Sequence, residues 1–259
     1  MIVAFIFIFG LFIGSFLNVV IFRLHRGEKF IRGRSKCLFC GHKLYVKDLV
    51  PLFSYLFLKG RCRYCKQSFS KQYFLVEFIT GLVLSLIFLN IFPTQSFLNF
   101  EILVLFKMIA WWIIACFLIV IFIYDAKYYL ILDKVSIPAI FLALIFNLIL
   151  GSSILNLLFA GLIAGGFFLL QYSISKGKWV GGGDIRLGFL MGLILGWPNI
   201  LTALFISYIL GSIISIILLI GRQKHWSDKI PFGTFLSLST IITMLYGEIL
   251  VNWYLSLMT

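Results

Sequence analysis

Two aspartates and four cysteines carry the chemistry this chain can offer. Asp184 follows three glycines in Val180-Gly181-Gly182-Gly183-Asp184-Ile185-Arg186, and Asp125 follows Tyr124 at the end of another apolar run. A carboxylate is costly beside hydrocarbon, so an ionisable side chain at membrane depth points to function. Two carboxylates at one site resist double ionisation, and the pair holds one proton and titrates as a unit. The ionised member can take a proton from water while the protonated one donates to a scissile carbonyl oxygen. Such hydrolysis needs neither a covalent intermediate nor a catalytic metal. The sequence holds no Gly-x-Ser-x-Gly elbow and no His-Glu-x-x-His helix. A helix N-cap is the competing role for Asp184, with Gly181 and Gly183 expected to give irregular backbone and close approach. Asp133 is expected to cap the helix that follows it. Glu77, at the start of the second apolar run, is a further candidate, whereas Asp48 and Asp228 sit among basic residues and are expected in solvent.

The cysteines form Cys37-x-x-Cys40 and Cys62-x-x-Cys65, separated by 21 residues. Each Cys-x-x-Cys makes a tight turn that aims two thiolates at one ion, and two turns complete a tetrahedron. Four thiolates leave no open position, so the implied zinc is structural. Disulfides are the alternative, but the loop is basic and expected in the cytoplasm, where thiols stay reduced. A segment of about 50 residues has little core of its own, and a metal would supply its stability. His42 is a spare donor expected in solvent, and Cys116 a small buried side chain.

The elements that must position these groups are membrane helices. Hydrophobic residues make up 62% of the chain and charged residues 12%, against about 25% charged in soluble proteins. Apolar runs at 2–22, 73–92, 102–124, 154–174, 199–220 and 232–254 have the roughly 20 residues needed to span. Runs at 135–150 and 185–197 are shorter, and counting them gives about eight transmembrane helices in an all-α polytopic protein. With the N-terminus outside, segments 23–72, 125–134, 175–186 and 221–231 carry 13, 2, 3 and 3 basic residues, 21 of the 22 in the chain. That asymmetry places these segments in the cytoplasm. Lys107, the exception, can snorkel from the outer end of its helix. The first run has its charges, Arg23 and Arg26, after the apolar stretch, which reads as an uncleaved helix and not a leader. Its Gly10-x-x-x-Gly14 suits close helix packing. The net charge of +13 reads as this orientation signal plus attraction to anionic lipid, not as a nucleic-acid site. The division is a first transmembrane helix (1–22), a cytoplasmic zinc-binding domain (23–72) and a seven-helix catalytic membrane domain (73–259).

On this topology both aspartates lie at the cytoplasmic face. Residues 185–197 span about 20 Å as a helix, roughly 10 Å short of the hydrocarbon thickness. Asp184 is therefore expected below the inner surface, in a wet cleft.

Several motifs resemble the type IV prepilin (leader) peptidase family over nearly the full length. Gly14-Ser15-Phe16-Leu17-Asn18-Val19-Val20-Ile21-Phe22-Arg23-Leu24 is similar to the family's N-terminal signature, and Gly60-Arg61-Cys62-Arg63-Tyr64-Cys65 with Gln72-Tyr73 and Val76-Glu77 follows in order. Lys229-Ile230-Pro231-Phe232-Gly233 is similar to its last conserved turn. The resemblance implies an eight-helix aspartyl protease of the Gly-x-Gly-Asp type in the bacterial inner membrane, with Asp125 and Asp184 catalytic. The family's Pro-Asp is Leu132-Asp133 here, and its lysine after the second aspartate is Arg186, which keeps the charge; Pro138 matches a later family proline. Implied substrates are prepilins and pseudopilins with a short basic leader ending in Gly, and many members also methylate the new N-terminus with S-adenosylmethionine. The competing readings are a transporter using the aspartates as a proton or cation relay, and a zinc scaffold without catalysis. Oligomeric state is not legible.

Overall fold

A computed structural model describes residues 1–29, 35–37, 39–92, 102–221 and 230–256, without the side chains of 254 and 255. Asp228 and Lys229, and most of the 221–231 segment, lie outside the described residues. All regular structure within them is helical, apart from two isolated bridges, Lys36 with Lys43 and Arg61 with Ser68. The chain divides into two compact units, Met1–Phe100 and Glu101–Thr259.

In the first unit, α1 (Ile2–His25) packs antiparallel on α3 (Gln72–Ile91). The small residues fix the register: a Cβ on Gly10 would lie 2.7 Å from Gly81 Cα, and one on Gly14 would lie 2.6 Å from Glu77 Cα. The expected close packing at Gly10-x-x-x-Gly14 is therefore present. Asn18 extends the same register, its Nδ2 donating to the Tyr73 carbonyl at 3.1 Å. Between the two helices the chain forms a 3-10 turn, Val46–Asp48, and a short helix, α2 (Phe53–Phe57).

The second unit holds α4 (Ile102–Tyr128), α5 (Asp133–Ile149), α6 (Ile154–Ser175), α7 (Gly182–Leu195), α8 (Asn199–Ile220) and α9 (Phe232–Ser256). Six helices, α1, α3, α4, α6, α8 and α9, are long and apolar enough to cross a membrane. At 17 and 14 residues, α5 and α7 rise only about 26 and 21 Å. The ends of α7 match its shortness. At the C-terminus Asn147 Nδ2 donates to the carbonyls of Leu193 at 2.7 Å and Ile194 at 3.3 Å. Asn156 then receives the Trp197 N–H at 2.9 Å. Backbone groups at a helix end have no partner within the helix, and these two amide side chains supply them.

Packing of α7 against α6 needs glycine. A Cβ at Gly192 would run into the backbone of Ala160 and Gly161. Gly192→Ala should therefore force the two helices apart and destabilise the fold by about 1–3 kcal/mol, seen as a lower melting temperature in detergent; an unchanged melting temperature would contradict this packing.

Candidate active site and metal centre

Asp125 lies within the last turn of α4, which continues to Tyr128 instead of ending near residue 124 as the apolar run suggests. It is buried. Its Oδ2 accepts the Thr234 N–H at 2.9 Å, and the Gly233 N–H contributes as well. Both amides belong to the first turn of α9, where N–H groups have no partner inside the helix. The N-terminal end of α9 thus cradles one carboxylate.

Asp184 is not the N-cap that its position before an apolar run suggests. Gly181 is the cap, in extended backbone, and Gly182 and Gly183 are the first two helical residues. Asp184 stands at the third position and reaches back, Oδ2 accepting the Gly181 N–H at 2.9 Å. None of the three glycines has a positive φ, so irregular backbone is not their role. A Cβ at Gly182 would meet nothing within 4 Å, whereas one at Gly183 would lie 2.8 Å from Ile131 Cβ. Ile131 is also the limit at Gly233, whose added Cβ would lie 2.8 Å from Ile131 Cδ1 and 2.9 Å from Asp125 Oδ2. One buried isoleucine from the α4–α5 connection therefore seats on both glycines. It draws the start of α7, with Asp184, toward the start of α9, which holds Asp125. The carboxylates lie within each other's electrostatic reach.

The Tyr208 hydroxyl of α8 lies in the field of the Asp184 carboxylate, so α8 also borders the start of α7.

Asp133 is the first residue of α5, with Leu132 as its cap. Its carboxylate accepts Arg186 Nη1 at 2.6 Å, so it ties α5 to α7 instead of capping. The pair is largely exposed and worth at most about 1 kcal/mol. Glu77, the remaining candidate, belongs to the first unit. It is buried and accepts the Leu52 N–H at 2.8 Å. Leu52 has φ +58° and ψ −51° with Phe53 N–H on the Pro51 carbonyl at 2.7 Å. That is a strained γ-turn, held by the buried carboxylate.

The cysteine quartet is assembled as expected. The four sulfurs lie within 4.8 Å of one another, and Cys37 Sγ is 3.9 Å from Cys65 Sγ. Four thiolates about 2.3 Å from one zinc stand about 3.8 Å apart, while a disulfide needs about 2 Å. The donor set and spacing fit a tetrahedral zinc. The two halves are local repeats. Cys37 N–H donates to His42 O and Gly41 N–H to Cys37 O, as Cys62 N–H donates to Gln67 O and Lys66 N–H to Cys62 O. Gly41 and Lys66 both have positive φ. His42 is outside the sulfur cluster; its ring lies tilted against that of Tyr64, with centroids 3.7 Å apart.

Asp48 departs from expectation, being shielded instead of solvated. It accepts Arg63 Nε at 2.6 Å and the Tyr64 hydroxyl at 3.1 Å. Burial pushes its carboxyl up, but Arg63, the Tyr45 N–H and Tyr64 together outweigh this and hold it below its usual value. Sequence reasoning missed this clamp, and it missed Ile131 and Thr234.

Two family models match the chain, one described as "Bacterial Peptidase A24 N-terminal domain" over residues 8–91 and one as "Type IV leader peptidase family" over residues 112–216. The chain is 31% identical to a protein named "Prepilin leader peptidase/N-methyltransferase" from Legionella pneumophila, over 96% of this chain and 92% of that one. Proteins of the same name from Aeromonas salmonicida (strain A449) and Bacillus subtilis (strain 168) are 29% and 28% identical, each over 97% of this chain and over 93% and 97% of their own lengths. No solved structure matches this chain.

Proposed function

The chain belongs to the type IV leader peptidase family, and from that premise we propose that it is a membrane aspartyl endopeptidase with Asp125 and Asp184 as its catalytic pair. Its relatives support type IV prepilin processing. The observation that carries the finer reading is the convergence of two buried carboxylates on the starts of α7 and α9, with Ile131 seated on Gly183 and Gly233. Peptide hydrolysis then proceeds as follows. The ionised carboxylate removes a proton from water as its oxygen attacks the carbonyl carbon, and the protonated carboxyl gives its proton to the carbonyl oxygen. In the collapse of the tetrahedral gem-diol the C–N bond breaks, the carboxyl that took the water proton passes it to the leaving amine, and the other carboxylate takes a proton from a gem-diol hydroxyl as the new carbonyl forms. The pair returns to its singly protonated state.

The substrate would be a prepilin or pseudopilin whose basic leader stays on the cytoplasmic side while its apolar helix enters the bilayer. The active site accordingly faces the cytoplasm of the bacterial inner membrane, below its surface. Gly181, Gly183, Asp133 and Arg186 support the pair. Zinc in the cysteine quartet serves structure alone, because four thiolates leave it no position for substrate. We also propose, from the name its relatives carry, that the new N-terminus is methylated from S-adenosylmethionine. None of the side-chain groupings described above is matched to that cofactor, and no step is derived through it.

The purified chain in detergent, mixed with a prepilin, should release a leader peptide seen as a size shift on a gel, and no cleavage by the wild-type chain would overturn the reading. The glycines give a graded check. Gly183→Ala and Gly233→Ala should each cut cleavage by about 100-fold, because ångström-scale misplacement of a reacting group costs that much. Gly182→Ala, with open space around its Cβ, should leave cleavage within about twofold. Equal effects at 182 and 183 would contradict the role given to Ile131.

A further inference from the structure

Gln171 of α6 and Tyr208 of α8 form a closed polar pair in the second unit. Gln171 Nε2 donates to the Tyr208 hydroxyl at 2.7 Å, and that hydroxyl donates in turn to Gln171 Oε1 at 3.1 Å. Both side chains are partly exposed. A membrane protein exposes amides and hydroxyls toward hydrocarbon only at a cost, and it reduces that cost by pairing them. The Tyr208 ring lies against Phe232, centroids 5.0 Å apart, and Phe232 immediately precedes Gly233 and Thr234, which hold Asp125. Tyr208 thus packs on the first residue of α9, next to the amides that hold Asp125, and its hydroxyl lies in the field of Asp184.

A peptide bond presented for hydrolysis cannot lie within a helix, since a helical backbone shields its carbonyl from attack. The extended residues around the scissile bond would bring N–H and C=O groups unpaired by any helix up to a cleft bordered by apolar side chains, where protein donors and acceptors must supply part of their hydrogen bonding. A carboxamide has two donors and an acceptor with two lone pairs, so Gln171 keeps unused capacity even when paired with Tyr208. We propose that Gln171 and Tyr208 are substrate-positioning residues, hydrogen-bonding the extended backbone next to the scissile bond and setting it against Asp125 and Asp184. The proposal rests on the proteolytic reading above. Every substrate shares a backbone, so the pair would serve different prepilins alike.

Tyr208→Phe removes the hydroxyl and keeps the ring on Phe232, and Gln171→Leu removes the amide from a partly exposed position. Each variant should raise KM for prepilin cleavage by about tenfold, one hydrogen bond to a desolvated group, with kcat within about twofold and an unchanged melting temperature. Because the two act as a unit, the double variant should cost no more than either alone. A photo-crosslinking residue at 171 should capture the prepilin within a few residues of its cleavage site. Unchanged KM in both single variants, a loss confined to kcat, or crosslinks only to distant parts of the substrate would each overturn the proposal. Wild-type cleavage in the same assay separates its failure from that of the proteolytic reading: no cleavage by wild type sinks the latter, and normal cleavage by both variants sinks only the positioning role.

Discussion

Asp125→Asn and Asp184→Asn should each reduce prepilin cleavage by about 100- to 10,000-fold, the range of positioned general acid–base catalysis. Asparagine keeps the shape and the acceptor oxygen. At 125 it can still receive the Thr234 N–H, and at 184 the Gly181 N–H. The folded state is therefore preserved, and melting temperature and expression should match wild type. What is lost is the exchangeable proton. One carboxylate alone cannot both take a proton from water and protonate the carbonyl, so either substitution disables the same step. The double variant should be no worse than the singles, as expected for residues acting as a unit. Initial rates of leader release, measured on purified protein in one detergent, provide the comparison. A single variant retaining more than about a tenth of wild-type activity would remove that aspartate from the catalytic pair.

The two carboxylates and the cysteine quartet stand out in the sequence because their chemistry conflicts with their surroundings. A carboxylate in an apolar run or two Cys-x-x-Cys pairs in a basic loop declare themselves without coordinates. The helices were legible for the same reason, through length and apolarity, with end errors such as the extra turn of α4 past Asp125. What escaped is what holds the site in place. Ile131 looks like any apolar residue, and its importance comes from two glycines 52 and 102 positions away in the chain. Thr234 acts through its backbone N–H, which no side-chain pattern records. A signal did exist there: Pro231 and Gly233 open an apolar run, and a helix start after proline offers free N–H groups to an anion. Asp184 was misplaced by one role, capping from the third position instead of the first, because three glycines leave the start of a helix undefined by side chains.

Removing zinc should unfold the cysteine loop while leaving the helical units standing. Within the described part of 35–69 the buried residues are Cys37, Pro51, Gly60 and Cys62. Two of those four are cysteines of the quartet, and the ring contacts Tyr55–Phe74 and Phe69–Tyr73 tie the loop to α3 instead of forming a core within it. Structural zinc contributes roughly 10–16 kcal/mol of apparent binding energy in small zinc domains at pH 7, far more than the Arg63–Asp48 pair or the Tyr64–His42 ring contact can offer. Cys62→Ser, or a strong chelator, should therefore drop metal content from about one zinc per chain to near zero. It should also open the basic loop to trypsin at Arg61, Arg63 and Lys66 within minutes. Far-ultraviolet circular dichroism should change little, since α1, α3 and the second unit hold the helices. The effect reaches one step further. An unfolded loop withdraws the Leu52 N–H from Glu77, leaving a buried carboxylate on α3 short of a partner, at a cost of about 1–3 kcal/mol. The α1–α3 pair should consequently melt earlier in the metal-free protein, and Glu77→Gln should recover part of that loss. Trypsin resistance that survives complete zinc removal would show that the loop folds on other contacts and would overturn the structural role of the metal.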